Sequence, residues 1–282
     1  MARRRISEIP RSRLAVWARR LALFALATAL LGTVIVRADL LEIVPALATV
    51  AGALALAGIA VLLALAAVVV IWKDGLEGFG SALGAMVIGL GLLAYPGYLA
   101  TRAYRLPAIN DITTDPADPP RLEALARVRP RQGSNPAAYP GAAVAAQQNA
   151  AYPEIEPLLL SAAPQVVYEV AFAAITKRQW RIIEARQPLP RPRRRDGHLE
   201  AVARTPLMGF RDDVVVRVRA EGEGARVDMR SASRYGRHDF GTNAARVASL
   251  LEEIEAAVDA LPAARRNPEP PAQPTRPPRA KR

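Results

Sequence analysis

The chain has 282 residues, 51% of them apolar and 5% aromatic, which allows one or two domains. It has no cysteine and two histidines, which excludes disulfides, thiolate nucleophiles and iron–sulfur clusters and leaves almost nothing for a zinc site. Lysine and arginine number 38 against 26 acidic residues, a net +12, but residues 1–20 carry +6 of it and residues 262–282 carry +5. The middle is therefore nearly neutral, and the charge describes two tails rather than a basic nucleic-acid-binding face.

Residues 1–20 read as a basic cytoplasmic tail with seven arginines against Glu8. Residues 21–100 read as a three-helix membrane region, because crossing about 30 Å of hydrocarbon takes about 20 apolar residues. Residues 21–36 are uncharged and become long enough when 14–18 join them, with Arg19 and Arg20 snorkelling to the headgroups. Residues 46–72 form one long span, and residues 80–99 a third that ends at Tyr95-Pro-Gly-Tyr98. Trp17, Trp72 and these tyrosines suit the interfacial belt. Gly80-Ser-Ala-Leu-Gly84 has the small-xxx-small spacing of closely packed helices.

The arginine bias places the amino terminus in the cytoplasm of a bacterial inner membrane, so three crossings put the carboxy-terminal domain in the periplasm. A cleavable signal peptide over residues 1–38 is the competing reading, although no small-x-small site follows Val36. The second and third spans contain no charged residue or histidine, which suits an anchor rather than a transporter.

Residues 101–160, rich in Pro, Ala, Asp and Asn, lack periodicity and read as an extended segment. Residues 161–261 read as a soluble domain. Ser161 is placed as the cap of a helix running to about residue 179, with Pro164 in its first turn. Strands follow at 180–185, 198–204, 213–220 and 225–231, the last two joined by Glu221-Gly-Glu-Gly224. A closing helix at 241–261 carries the stripe Val247, Leu250, Leu251, Ile254 and Val258. The expected fold class is α+β, three transmembrane helices followed by an antiparallel four-stranded sheet with two helices in the order α-β-β-β-β-α. Residues 262–282, rich in Pro and Arg, are expected to be disordered.

The densest polar block, residues 228–246, leaves a strand and enters the closing helix. Arg230, Ser231, Ser233, Arg234, Arg237 and Asn243 there form the candidate anion site, with donors suited to phosphate or carboxylate. The alternative is that the arginines pair with Asp212, Asp213, Asp228 and Asp239 to fix the corner. Asp212 and Asp213 read as solvated acids at a turn rather than a catalytic pair, and His198 and His238 as surface residues. Neither a cofactor nor a metal is expected. Arg191-Pro-Arg-Arg-Arg195 reads as a solvated turn or a contact for anionic lipid or an envelope polymer.

The blocks Asn110-Asp-Ile-Thr-Thr-Asp115 with Pro119-Pro120, Arg204-Thr-Pro-Leu-Met-Gly-Phe-Arg-Asp-Asp213, Asp228-Met-Arg-Ser-Ala-Ser-Arg234 and residues 239–246 resemble the bacterial family called domain of unknown function 1499. The resemblance covers residues 105–261 and implies no established activity or catalytic residue. It does imply that residues 110–120 belong with the domain and dock on it. The expected function is a non-enzymatic inner-membrane protein presenting an α+β domain that binds an anionic lipid or envelope component, with the lipid bilayer as partner and no nucleic acid. A membrane-anchored hydrolase or transferase using Asp212, Asp213, Asp239 or His238 is the rival, and a structural module packing with membrane partners is the third reading.

Overall fold

The computed structural model describes residues 10–38, 40, 43–130, 133–189 and 195–267, in two compact units. The first comprises residues 1–106 with the loop 205–210, the second residues 107–204 and 211–282.

In the first unit, α1 (Arg13–Arg37), α2 (Ile43–Asp74) and α3 (Phe79–Arg105) are each long and apolar enough to cross a membrane. Ser12 caps α1 by accepting the Ala15 N–H. The helices meet through alanine: Ala15, Ala18 and Ala22 pack with Ala60, Ala64, Ala67, Ala82 and Ala85 in one buried cluster. Leu23, Phe24, Leu30, Leu62, Leu65 and Val87 point outward. Lipid is as apolar as leucine, so close backbone approach rather than side-chain bulk holds such helices together. The close approach is not at Gly80 and Gly84, where an added Cβ would meet nothing within 4 Å. It is at Gly89, where a Cβ would lie 2.5 Å from Val61 and 3.1 Å from the Ala57 carbonyl. The third helix does not stop at Pro96 but continues for nine further residues to Arg105. A proline inside a membrane helix is tolerated when neighbouring groups satisfy the freed carbonyl.

The second unit is an antiparallel sheet of six strands rather than four. The four expected strands are present as β3 (Arg181–Arg186), β4 (Gly197–Arg204), β5 (Arg211–Glu221) and β6 (Gly224–Ser233). Two three-residue strands, β1 (Asp111–Thr113) and β2 (Leu158–Leu160), come from the proline-rich segment and pair with successive parts of β6. Strands of three residues leave no alternation to detect, and their pairing partner lies far along the chain. Along the sheet the order is β1-β6-β5-β4-β3, with β2 beside β1 on the β6 edge.

One sheet face carries Val214, Val216, Val218, Val227 and Met229 and packs on α6 (Pro164–Lys177) and α7 (Thr242–Asp259). Helix α6 is not capped by Ser161. Its N-cap is Ala163, with Pro164 in the first turn, where a missing N–H costs nothing. The opposite face is largely charged and is covered by residues 107–130 and 133–140. There α4 (Ala124–Val128) brings Leu125 onto Val202, Val215 and Ala232. A further helix, α5 (Ala142–Ala151), is alanine-rich with a weak stripe, which is why periodicity misses it. It lays the buried Gln148 against Thr113, accepting its N–H and donating to its carbonyl, so an amide side chain completes the edge of β1.

Beyond α7, residues 263–266 form a short helix, α8 (Ala263–Arg266), and the Arg266 carbonyl accepts the Ala163 N–H, so this part of the segment expected to be disordered is helical. The amino-terminal arginines before Pro10, the basic run 191–194 and the end after residue 267 lie outside the described residues.

Candidate functional site

Between β6 and α7 the chain turns through residues 234–241. The turn needs left-handed backbone at Gly236 (φ 81°), Phe240 (φ 55°) and Gly241 (φ 75°). The Asp239 carboxylate closes it by accepting the N–H groups of Gly241 at 2.8 Å and Asn243 at 2.9 Å. Burial pushes the Asp239 pKa above the usual carboxylate value, and these two N–H bonds offset part of that rise.

The six residues of the candidate anion site do not converge on one concavity. Successive strand residues point to opposite faces, so β6 sends Ser231 and Ser233 toward α7 and Arg230 away from it. On the helix side, Ser231 Oγ donates to Asn243 Oδ1 (2.7 Å), and Asn243 Nδ2 donates to Ser233 Oγ (2.9 Å). Arg246 completes that cluster, donating to Ser231 Oγ and Asn243 Oδ1 and holding Asp212 at 2.5 Å. On the far side, Arg230 Nε and Nη2 grip the two carboxylate oxygens of Asp111 at 2.9 and 2.7 Å, and its other donors reach the Pro120 and Ala137 carbonyls. Arg234 and Arg129 take one oxygen each of Asp213, both at 2.8 Å. Arg230 is 2% exposed and Arg234 1%. Arg237 alone is exposed, on the turn.

The residues of the rival catalytic reading are equally engaged. Asp212 and Asp213 are buried, not solvated, and face opposite sides of the sheet, so they cannot share a proton or a cation. The His238 Nδ1 accepts the Phe240 N–H, and its ring stacks on Phe240. His198 is buried rather than on the surface, with Nε2 2.9 Å from Glu200 Oε1. Glu200, fully buried, also accepts the N–H groups of Glu123, Ala124 and Leu125 at the start of α4. Burial raises its pKa, but the His198 bond and the three N–H bonds outweigh that and hold it below the ordinary value.

A second lattice ties the proline-rich segment to the sheet. Arg217, Arg219 and Arg226 surround the buried Asp228 and reach Asp115 and Asp118 in the segment. Burial raises the Asp115 pKa, and the Asp118 N–H and Arg226 charge more than reverse this, leaving it lowered. Asn110 donates to the Gly236 carbonyl, so the segment also holds the corner.

Sequence reasoning misses Asp111, Arg129 and Glu200 as partners, since each acts on groups more than 70 residues away. Arg246 did carry a signal: with Asn243, Val247 and Leu250 it lies on the buried face of α7. Among the described residues, no group of three or more histidine or acidic side chains converges to hold a metal. The arrangement is a lock in which guanidinium–carboxylate pairs fix chain segments on both faces of the sheet.

The sequence model of a family described as "Protein of unknown function (DUF1499)" matches residues 111–254. The match begins at the first residue of β1 and ends in α7, so it contains both partners of the Asp111–Arg230 and Asp212–Arg246 pairs. No curated protein and no solved structure matches the chain.

Proposed function

The chain belongs to the DUF1499 family of unknown function, and from that premise we propose that it is a membrane-anchored, non-enzymatic binding module. The three helices hold the α+β domain on the periplasmic side of a bacterial inner membrane, where it takes an anionic lipid or envelope component. The single observation that carries the non-enzymatic part is the state of the polar corner. Arg230, Arg234 and Arg246 each hold a carboxylate of this same chain, and Asp239 is taken up by backbone N–H groups. Groups engaged in this way are already paired within the fold and leave no acid–base pair poised at a cleft. The anchor part is supported by three helices of 25 residues or more with outward-facing leucines, and the orientation by the seven arginines ahead of residue 21.

Topology decides this reading. Alkaline phosphatase fused after Leu261 of the full chain should be active, and a fluorescent protein that matures only in the cytoplasm should stay dark at the same position. The reverse pattern would overturn the periplasmic assignment.

A further inference from the structure

The block Arg204–Asp213 sends Asp212 and Asp213 into the lock of ion pairs, but the lock leaves its middle, Thr205-Pro-Leu-Met-Gly-Phe210, unused. These six uncharged residues join β4 to β5, yet they belong to the first compact unit, with the three long apolar helices. We propose that this loop is a membrane-interface element: Arg37 clasps it at the end of α1, and Leu207 contacts the lipid headgroups and upper acyl chains. The inference rests on the membrane-anchored part of the reading above and holds whichever side of the membrane the end of α1 faces.

The depth follows from what the loop touches. Arg37 is the last residue of α1, and its Nη1 donates to the Pro206 carbonyl at 2.6 Å and to the Leu207 carbonyl at 3.1 Å. Met208 Sδ lies 3.9 Å from the Thr33 Oγ1, one helical turn before Arg37. At 1.5 Å per residue the loop therefore runs along about 6 Å of α1. Thr33 stands within the uncharged stretch 21–36, and Arg37 is the first charge beyond it. The zone between them is the edge of the hydrocarbon, into which interfacial segments dip by about 5–10 Å. Leu30, Leu31 and Val34 carry the exposed apolar surface of α1 to within one turn of Arg37, where Leu207, 47% exposed, is held.

A loop can enter that zone only if few of its backbone groups lose water without gaining a partner, since an unpaired N–H or C=O is costly at low dielectric. This one is closed on itself. The Thr205 N–H donates to the Phe210 carbonyl (2.9 Å), the Gly209 N–H to the Thr205 carbonyl (3.0 Å), and the Phe210 N–H to Thr205 Oγ1 (2.9 Å). Pro206 has no N–H to satisfy, and Arg37 takes its carbonyl and the next. Gly209 lets the clasp close. It adopts left-handed backbone (φ 72°), and a Cβ there would lie 3.1 Å from Arg37 Cγ. Arginine suits the other half, because its planar fork meets two acceptors and its charge complements the carboxy-terminal end of the helix dipole.

Site-directed spin labelling tests the placement, because the chain has no cysteine and a single introduced one takes the label. Leu207→Cys, Leu62→Cys and Glu223→Cys are each labelled in the full chain, reconstituted in vesicles of phosphatidylcholine and phosphatidylglycerol. Leu62, 66% exposed near the middle of α2, reports hydrocarbon, and Glu223, exposed in the turn at the opposite end of β5, reports water. The expected ratio of oxygen to nickel-chelate accessibility at residue 207 falls between the values at residues 62 and 223. Arg37→Gln and Gly209→Ala should each sharpen the spectrum of the label at residue 207 and move its ratio toward that at residue 223. Arg37→Lys, which keeps the charge without the fork, should have a smaller effect.

A label at residue 207 as open to nickel as the one at residue 223, with residue 62 in hydrocarbon, would overturn the proposal and leave the membrane-anchored reading standing. A label at residue 62 open to nickel would overturn both. Unchanged spectra at residue 207 in Arg37→Gln and in Gly209→Ala would overturn the clasp. Leu207→Cys alters an exposed side chain and needs no second substitution, so the depth measurement decides the placement even where a clasp variant fails to fold.

Discussion

Arg230 shows how a polar side chain can be buried without opening a site. Its guanidinium meets Asp111 in a two-point fork and finds carbonyl oxygens for the remaining donors, so its charge is desolvated and compensated within the fold. Removing one member leaves the other buried and unpaired, at a cost of about 3–5 kcal/mol. Arg230→Ala should therefore lower the unfolding free energy by that amount or prevent folding, measured by chemical denaturation of the full chain in detergent, whereas Arg237→Ala should change it by less than about 0.5 kcal/mol. Glu200 and Asp239 give opposite pH dependences. The folded-state pKa of Glu200 lies below its unfolded value, so its contribution is present above about pH 4.5 and is lost as pH falls through the folded value. The raised pKa of Asp239 makes its own contribution fall as pH rises past 3.8. Glu200→Gln should flatten the acid side of a stability-against-pH curve, and Asp239→Asn should steepen the rise that Asp239 opposes. Both outcomes can be read from thermal melts between pH 3 and pH 7.

Among the elements, the hairpins and terminal helices of the domain are legible in sequence because each has its own period. Val214, Val216 and Val218 alternate, and Val247, Leu250, Leu251, Ile254 and Val258 recur at helical spacing. The proline-rich segment has no such period, and its order comes from the sheet it covers. Leu125, buried on Val202 and Val215, anchors it, so Leu125→Ala should cost about 2–5 kcal/mol. Limited proteolysis should then cut first within residues 107–140. At Gly224 a Cβ would lie 2.1 Å from the Leu160 carbonyl oxygen, so Gly224→Ala should displace β2 from the edge of β6. Hydrogen exchange of residues 158–160 and 225–227 would report that loss. The candidate site was legible as a composition and not as a geometry: the Arg/Ser/Asp block at 228–246 stands out, but strand alternation sends its members to both faces.

For the whole molecule, the net +12 has little bearing on the described domain. It marks the ends, and the amino-terminal share orients the membrane region in the reading proposed above. The sequence by itself determined the three membrane-capable helices, the four main strands, the two helices packed on them and the family. Those features rest on hydrophobic length and periodicity, which are local properties of a chain. Only the tertiary structure decided that β1 and β2 extend the sheet, that Leu125 and Arg129 seat the proline-rich segment on it, and that Arg230, Arg234 and Arg246 hold Asp111, Asp213 and Asp212. The reason is physical: a charge finds its partner across the sheet by burial and distance in space, and neither leaves a spacing that can be read along the chain.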